Sequence, residues 1–214
     1  MLQSIIWAVS GFVFNAFVTL LVVIDPLGLA PLFVGLTQGR SEAYKRKAAI
    51  RGTILAAIIL FLFTFVGQGL LNALGIGFPA FSIAGGALLF LLSLDMIFAS
   101  PSGMRQASLR EDEETQEGED ISVFPLAIPL IAGPGSLTTV LLYTAGSNVL
   151  TIAAFFGVLL VVLSLTLASL LLASRIMNLL GETGANVFSR VLGVLLAALA
   201  VQFVLDGIRQ SFDL

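Results

Sequence analysis

Two long apolar stretches of this chain are each interrupted by a pair of prolines with glycine close by. They are Pro26-Leu27-Gly28-Leu29-Ala30-Pro31 and Pro129-Leu130-Ile131-Ala132-Gly133-Pro134, both of the form Pro-Leu-x-x-x-Pro. Proline removes a backbone donor and clashes with the preceding turn, and glycine adds backbone freedom. At membrane depth, backbone freed in this way is tolerated only where it is buried in protein or lines a cavity. One such break in each half of a chain points to a transporter whose site forms between discontinuous helices.

The composition agrees. Of 214 residues, 58% are hydrophobic and 11% charged, where a soluble domain has about 45–50% and about 25%. Mean hydropathy is +1.07. Apolar runs near the roughly 20-residue spanning length recur along the chain, which argues against a soluble helical protein. There is no Cys and no His. That excludes thiol chemistry and disulfides, and removes the usual zinc and copper ligands and the usual near-neutral proton switch. The net charge is −3, with most of the acid in one loop, so no nucleic-acid partner is expected. Met1 to Trp7 has no positive region and no small-residue cleavage site, and reads as the start of the first span.

Six spans are expected: Trp7 to Leu36, Ala48 to Leu71, Ala80 to Phe98, Ser122 to Thr144, Leu150 to Ala173 and Phe188 to Ile208. The first and fourth contain the breaks. Arg40, Lys45, Arg46, Lys47, Arg51, Arg105, Arg110, Arg175 and Arg190 then all fall on one side, leaving only Arg209 on the other. Positive residues mark the cytoplasmic side, so both termini are expected outside. A re-entrant hairpin at one break would change the parity and abolish this asymmetry. The loop Ala99 to Ile121 holds the acidic block Glu111 to Asp120, which reads as a solvated, mobile linker.

The halves echo one another. Asn72-Ala73-Leu74-Gly75 and Asn178-Leu179-Leu180-Gly181 are read as the ends of spans two and five. Leu94-Asp95-Met96-Ile97 and Leu205-Asp206-Gly207-Ile208 are read as the ends of spans three and six. A three-span repeat must invert, because an odd number of crossings ends on the opposite side. The expected fold is therefore an all-α integral membrane domain of two inverted three-helix repeats, residues 1–98 and 122–214, joined by an acidic cytoplasmic linker, 99–121. Helices 1 and 4 are broken. Each break lies about ten residues from the polar residues flanking its span. Ten helical residues cover about 15 Å, half of a roughly 30 Å core, so both breaks reach the midplane.

Asp25 is the residue of greatest chemical interest. An acid deep in an apolar run is costly and marks an ion path or substrate site. It has three candidate roles: holding a substrate ammonium, carrying a proton, or capping a half-helix that starts at Pro26. The second break, Ala132 to Ser136, has no acid but offers backbone donors, a hydroxyl and a half-helix start after Pro134, which attracts carboxylates. A small zwitterion fits that pairing. The candidate substrate-binding residues are Asp25, Pro26, Gly28 and Pro31 at the first break, and Pro129, Gly133, Pro134, Gly135 and Ser136 at the second. Asn15, Thr138 and Thr139 lie within a few turns of them, as does Thr19, which reads as bundle packing. Asp95 and Asp206 read as interfacial. Gly85, Gly86 and Gly193 read as close-packing positions and leave homo-oligomerisation open.

The segments Ile24 to Phe33 and Pro125 to Leu137 resemble the two signature regions of the MarC family of bacterial inner-membrane proteins, and length, span number and acidic loop are similar too. The resemblance implies an inner-membrane carrier within the LysE-type exporters, akin to the SnatA-like transporters of glycine and alanine, with a proton or cation as coupling partner and no bound cofactor. That family has Asn or Asp at the position of Asp25, which ranks substrate binding above an obligatory proton role there. The alternative is an exporter or channel for an inorganic ion or metal, disfavoured by the absence of His and Cys. An embedded enzyme is disfavoured because no nucleophile–base set is recognisable. A non-transporting scaffold would have no evident use for broken helices.

Overall fold

A computed structural model describes residues 2–98 and 120–212. The expected acidic linker lies outside the described residues, apart from its last two positions. Every regular element is helical: α1 (Leu2–Ile24), α2 (Pro26–Leu36), α3 (Glu42–Ala73), α4 (Phe78–Phe98), an irregular segment Ser122–Ile131, α5 (Pro134–Thr144), α6 (Val149–Leu171) and α7 (Ala173–Phe212). Among the described residues, five helical stretches are long and apolar enough to cross a membrane, and the irregular segment with α5, bent by 52°, makes a sixth when taken as one span. Their outward faces are also apolar. On α3, Ile54, Ile58, Leu62 and Phe65 are all more than half exposed. A soluble helix would place charge there; lipid accepts this surface.

Local chemistry accounts for the helix ends. Ser41 accepts the amide of Tyr44 to start α3, and Asn148 accepts that of Thr151 to start α6. α3 runs out at Gly75, whose φ of 69° favours glycine. The stretch Asn178–Gly181 departs from expectation. The fifth span ends at Leu171, and Asn178–Gly181 lies beyond it, where a helical stretch of α7 stops at Gly181 with φ 65°. The sixth span resumes at Thr183. Both Asn-x-Leu-Gly copies thus terminate a helical stretch on a left-handed glycine.

The halves also correspond where sequence matching was silent. α2 and α5 are each eleven residues long and each begins with proline. At their ends, Thr37 donates to the Phe33 carbonyl and Thr144 to the Val140 carbonyl, both at 2.7 Å. A left-handed glycine follows each, Gly39 and Gly146. The prolines that open the half-helices are Pro26 and Pro134. They hold the first place of the shared Pro-Leu-x-x-x-Pro pattern in one copy and the last in the other.

Packing links one half to the other. α4 and α7 cross in antiparallel contact: Gly86 faces the Ala200 carbonyl, Gly193 faces Met96 and Ile97, and Gly207 faces Ile83 and the Pro79 carbonyl. A Cβ at these glycines would meet backbone or packed side chains, so they let the helices approach closely. α3 runs parallel to the fourth span, with Gly52 against Leu126 near one end and Gly67 against Leu141 towards the other. That progression makes the bent pair a single crossing rather than a hairpin. α3 packs on the fourth span, and α6 packs on α1 and α2, so exchanging the halves maps one set of contacts onto the other. The main core gathers side chains such as Leu20, Ile24, Leu60, Leu126, Phe155 and Leu159. A smaller cluster joins Val22 and Val23 to Leu89, Met96 and Leu196.

Candidate functional site

The first break is closed by its own acid. Asp25 lies between α1 and α2 with φ 49°, and is fully buried. Its Oδ1 accepts the Gly28 amide at 3.0 Å, and its Oδ2 accepts the Ser189 hydroxyl of α7 at 3.3 Å. The Ser169 hydroxyl donates to the Pro26 carbonyl at 2.6 Å. A Cβ on Gly28 would fall on the Asp25 carboxylate, so glycine is required there. Capping is therefore one role that Asp25 fills. Pro31 sits half-buried inside α2.

The second break is open. Phe124 and Ile128 are extended within Ser122–Ile131, which breaks the regular helix there, and the bonds to Pro125 and Pro129 are cis. Gly133 precedes α5 with an extended backbone, and no side chain caps that helix. A Cβ on Gly133 would run into the Pro129 carbonyl. Ser136 donates to the Ile131 carbonyl at 2.7 Å, which ties the break to the first turn of α5. The amides of Gly135 and Ser136 belong to the first turn of α5, where a helix has no carbonyls of its own to bind.

A cavity of about 70 Å³ opens at this uncapped end. Pro129, Gly133, Pro134, Gly135 and Ser136 line one side, and Leu88, Leu92 and Asp95 of α4 line the other, with Val23 of α1 between. Val23 also packs against Gly135, which brings the two breaks together across α1 and α5. At about 10–15 Å³ per water-sized group, the space takes roughly five to seven such groups.

The residues expected to bind substrate therefore divide. All five at the second break line the cavity. Asp25, Pro26, Gly28 and Pro31 do not line it. Thr138 packs its methyl on Gly85, and Thr139 donates to the Gly135 carbonyl at 2.8 Å, both buried. Asn15 is exposed on α1. Thr19 shares a 2.9 Å hydrogen bond with the Tyr143 hydroxyl of α5.

Asp95, expected near the end of its span, lies in the last turn of α4, is only 8% exposed and lines the cavity. The signal was its spacing. Leu88, Leu92 and Asp95 recur at intervals of four and three, one face of a helix, so the acid shares a face with the apolar residues that line the site. Asp206, by contrast, is partly exposed and accepts from Gln202 at 2.9 Å. Where the chain enters the fourth span, Asp120 accepts from Arg51 of α3 and from the Ser122 hydroxyl. The end of the acidic block is thus tied down rather than loose.

Comparisons with known proteins agree on one family. Residues 10–212 match the model of the MarC family integral membrane protein. A UPF0056 membrane protein of Archaeoglobus fulgidus is 39% identical, over 94% of this chain and 94% of its own length. The UPF0056 membrane protein YhcE of Escherichia coli is 32% identical, over 93% of each. YvbG of Bacillus subtilis is 33% identical, over 94% of this chain and 96% of its own length. No solved structure matches the chain. With its family match running from the first span to the end of α7, this multi-pass helical chain belongs to the MarC family of integral membrane proteins.

Proposed function

We propose that the chain is a secondary transporter of small neutral amino acids, of the glycine and alanine type, and not an enzyme. The observation that carries this reading is the asymmetry of the two breaks. One half-helix is capped internally by Asp25, while the other presents an uncapped start to a cavity that holds a second buried acid, Asp95. An uncapped helix start favours a carboxylate, through free amides and the helix dipole. A carboxylate within the same small, mostly apolar space favours an ammonium. A zwitterion satisfies both ends, and the cavity's size suits glycine or alanine.

In this reading the α-carboxylate sits at the Gly135 and Ser136 amides and the ammonium at Asp95. Leu88, Leu92 and Val23 limit the side chain. The two three-helix repeats are inverted and rock about this site, exposing it to each side in turn, with a proton or cation as the coupling partner. The protein resides in the cytoplasmic membrane with both termini outside, following the excess of Lys and Arg at the opposite ends of the spans.

The test is counterflow of labelled alanine and glycine into proteoliposomes, with and without a pH gradient. Saturable exchange is expected, reduced at least a hundredfold in Asp95→Ala and in Gly133→Leu. Full exchange in both variants would overturn the site. No exchange of any small amino acid by the native chain, with metal-stimulated current instead, would overturn the substrate and favour an inorganic ion.

A further inference from the structure

We propose that the groove between the ends of α2 and α6 and the first turns of α3 binds the phosphate headgroup of an anionic phospholipid. The groove has a volume of about 320 Å³. It lies at the ends of α2 and α6 and the start of α3, and its lining is part apolar and part charged. Phe33, Val34, Leu170 and Leu171 form its apolar wall, while Lys45 and Arg46, with one acid, Glu42, form its charged part. An amphiphile with a negative head matches both parts at once.

Of the two cations that line the groove, one forms no ion pair among the described residues. Lys45 pairs with Glu42 at 2.7 Å. Arg51 is held by Asp120, and the Arg40 guanidinium stacks on the Tyr44 ring at 5.3 Å. Arg46 is exposed and forms no ion pair among the described residues. Thr37 is fully buried and spends its hydroxyl on the Phe33 carbonyl, so it shapes the floor rather than binding. Arginine in this place offers a planar fork matched to phosphate oxygens. Basic pockets between spans at a membrane surface are suited to anionic lipid heads. An acidic peptide such as the stretch Glu111 to Glu119 would match only the charged half of the groove and leave Phe33 and Leu170 without an apolar partner. The proposal stands apart from the transport reading, since it concerns a different set of residues and needs no cargo.

The experiment is native mass spectrometry of the full chain released from nonionic detergent, given equal amounts of phosphatidylglycerol and phosphatidylcholine with the same acyl chains. Preferential retention of phosphatidylglycerol is expected, with the preference reduced about fivefold in Arg46→Gln, as suits the loss of one arginine at a membrane surface. Arg209→Gln, at the far end of α7, should leave it unchanged. Equal retention of both lipids, or an unchanged preference in Arg46→Gln, would overturn the proposal. Displacement of the lipid by millimolar inorganic phosphate would also overturn it, in favour of a free-anion site. Lipid binding that appears only after the acids at 111–114 are neutralised would assign the groove to the linker instead.

Discussion

Asp25 accepts the amide of Gly28 at 3.0 Å from a backbone held at φ 49°, so one residue both turns the chain and caps the helix that follows. Asn can do both, because it tolerates the left-handed region and carries a side-chain acceptor; Ala can do neither. Asp25→Asn should therefore unfold within a few degrees of the native chain in detergent. Asp25→Ala should lose about 1–2 kcal/mol. Thermal unfolding followed by circular dichroism separates them, and equal loss in both would deny the cap.

The walls of the cavity set a size limit. Leu92→Ala removes apolar bulk opposite Gly135, and the added space should admit longer aliphatic side chains. A hydrophobic pocket discriminates by about 1–3 kcal/mol per methylene, so the preference for alanine over valine should fall by roughly tenfold or more. Competition of unlabelled valine against labelled alanine reads this directly. An unchanged ratio would place the substrate elsewhere.

The hydrogen bond between Thr19 and Tyr143 joins the two broken spans. Tyr143 also meets the rings of Phe12 and Phe155 at 5.6 and 5.9 Å, so Tyr143→Phe keeps the ring contacts and loses only the hydroxyl. A cost of about 0.5–1.5 kcal/mol is expected. Thr19→Val should cost a similar amount, and the double variant little more than either alone. Additive losses would mean the two groups act independently.

Asp120 gives the chain a pH-dependent tie. The Ser122 hydroxyl holds its carboxyl below the ordinary value of 3.8, aided by the Ser122 amide, Arg51 and Lys47 and partly opposed by burial. A carboxyl lowered in the folded state stabilises it fully above the ordinary Asp range and loses that effect as pH falls through the folded value. The native chain should therefore be more stable than Asp120→Asn at neutral pH. The gap should close as pH drops below about 4. A gap that stays constant down to pH 3 would remove Asp120 from the stability of this end.

The sequence by itself determined the parts of this protein that rest on local rules. Hydropathy marked the spans, because lipid forces every backbone group to be satisfied within a helix. Proline at Pro26 and Pro134 marked the half-helices, and Asp25 before Pro26 marked a cap, because these effects act within a few residues. Only the tertiary structure decided which acid faces the cavity and how the halves align. Asp25 reads as a deep acid and Asp95 as an interfacial one; spacing puts Asp95 on one face with Leu88 and Leu92, but nothing local says that this face lines a cavity. That depends on how α4 meets α7, which Gly86, Gly193 and Gly207 set through contacts about a hundred residues or more away in sequence. The pairing of Pro26 with Pro134 was equally hidden, since it rests on where each half-helix begins in space, while the repeated sequence pattern matches Pro26 with Pro129.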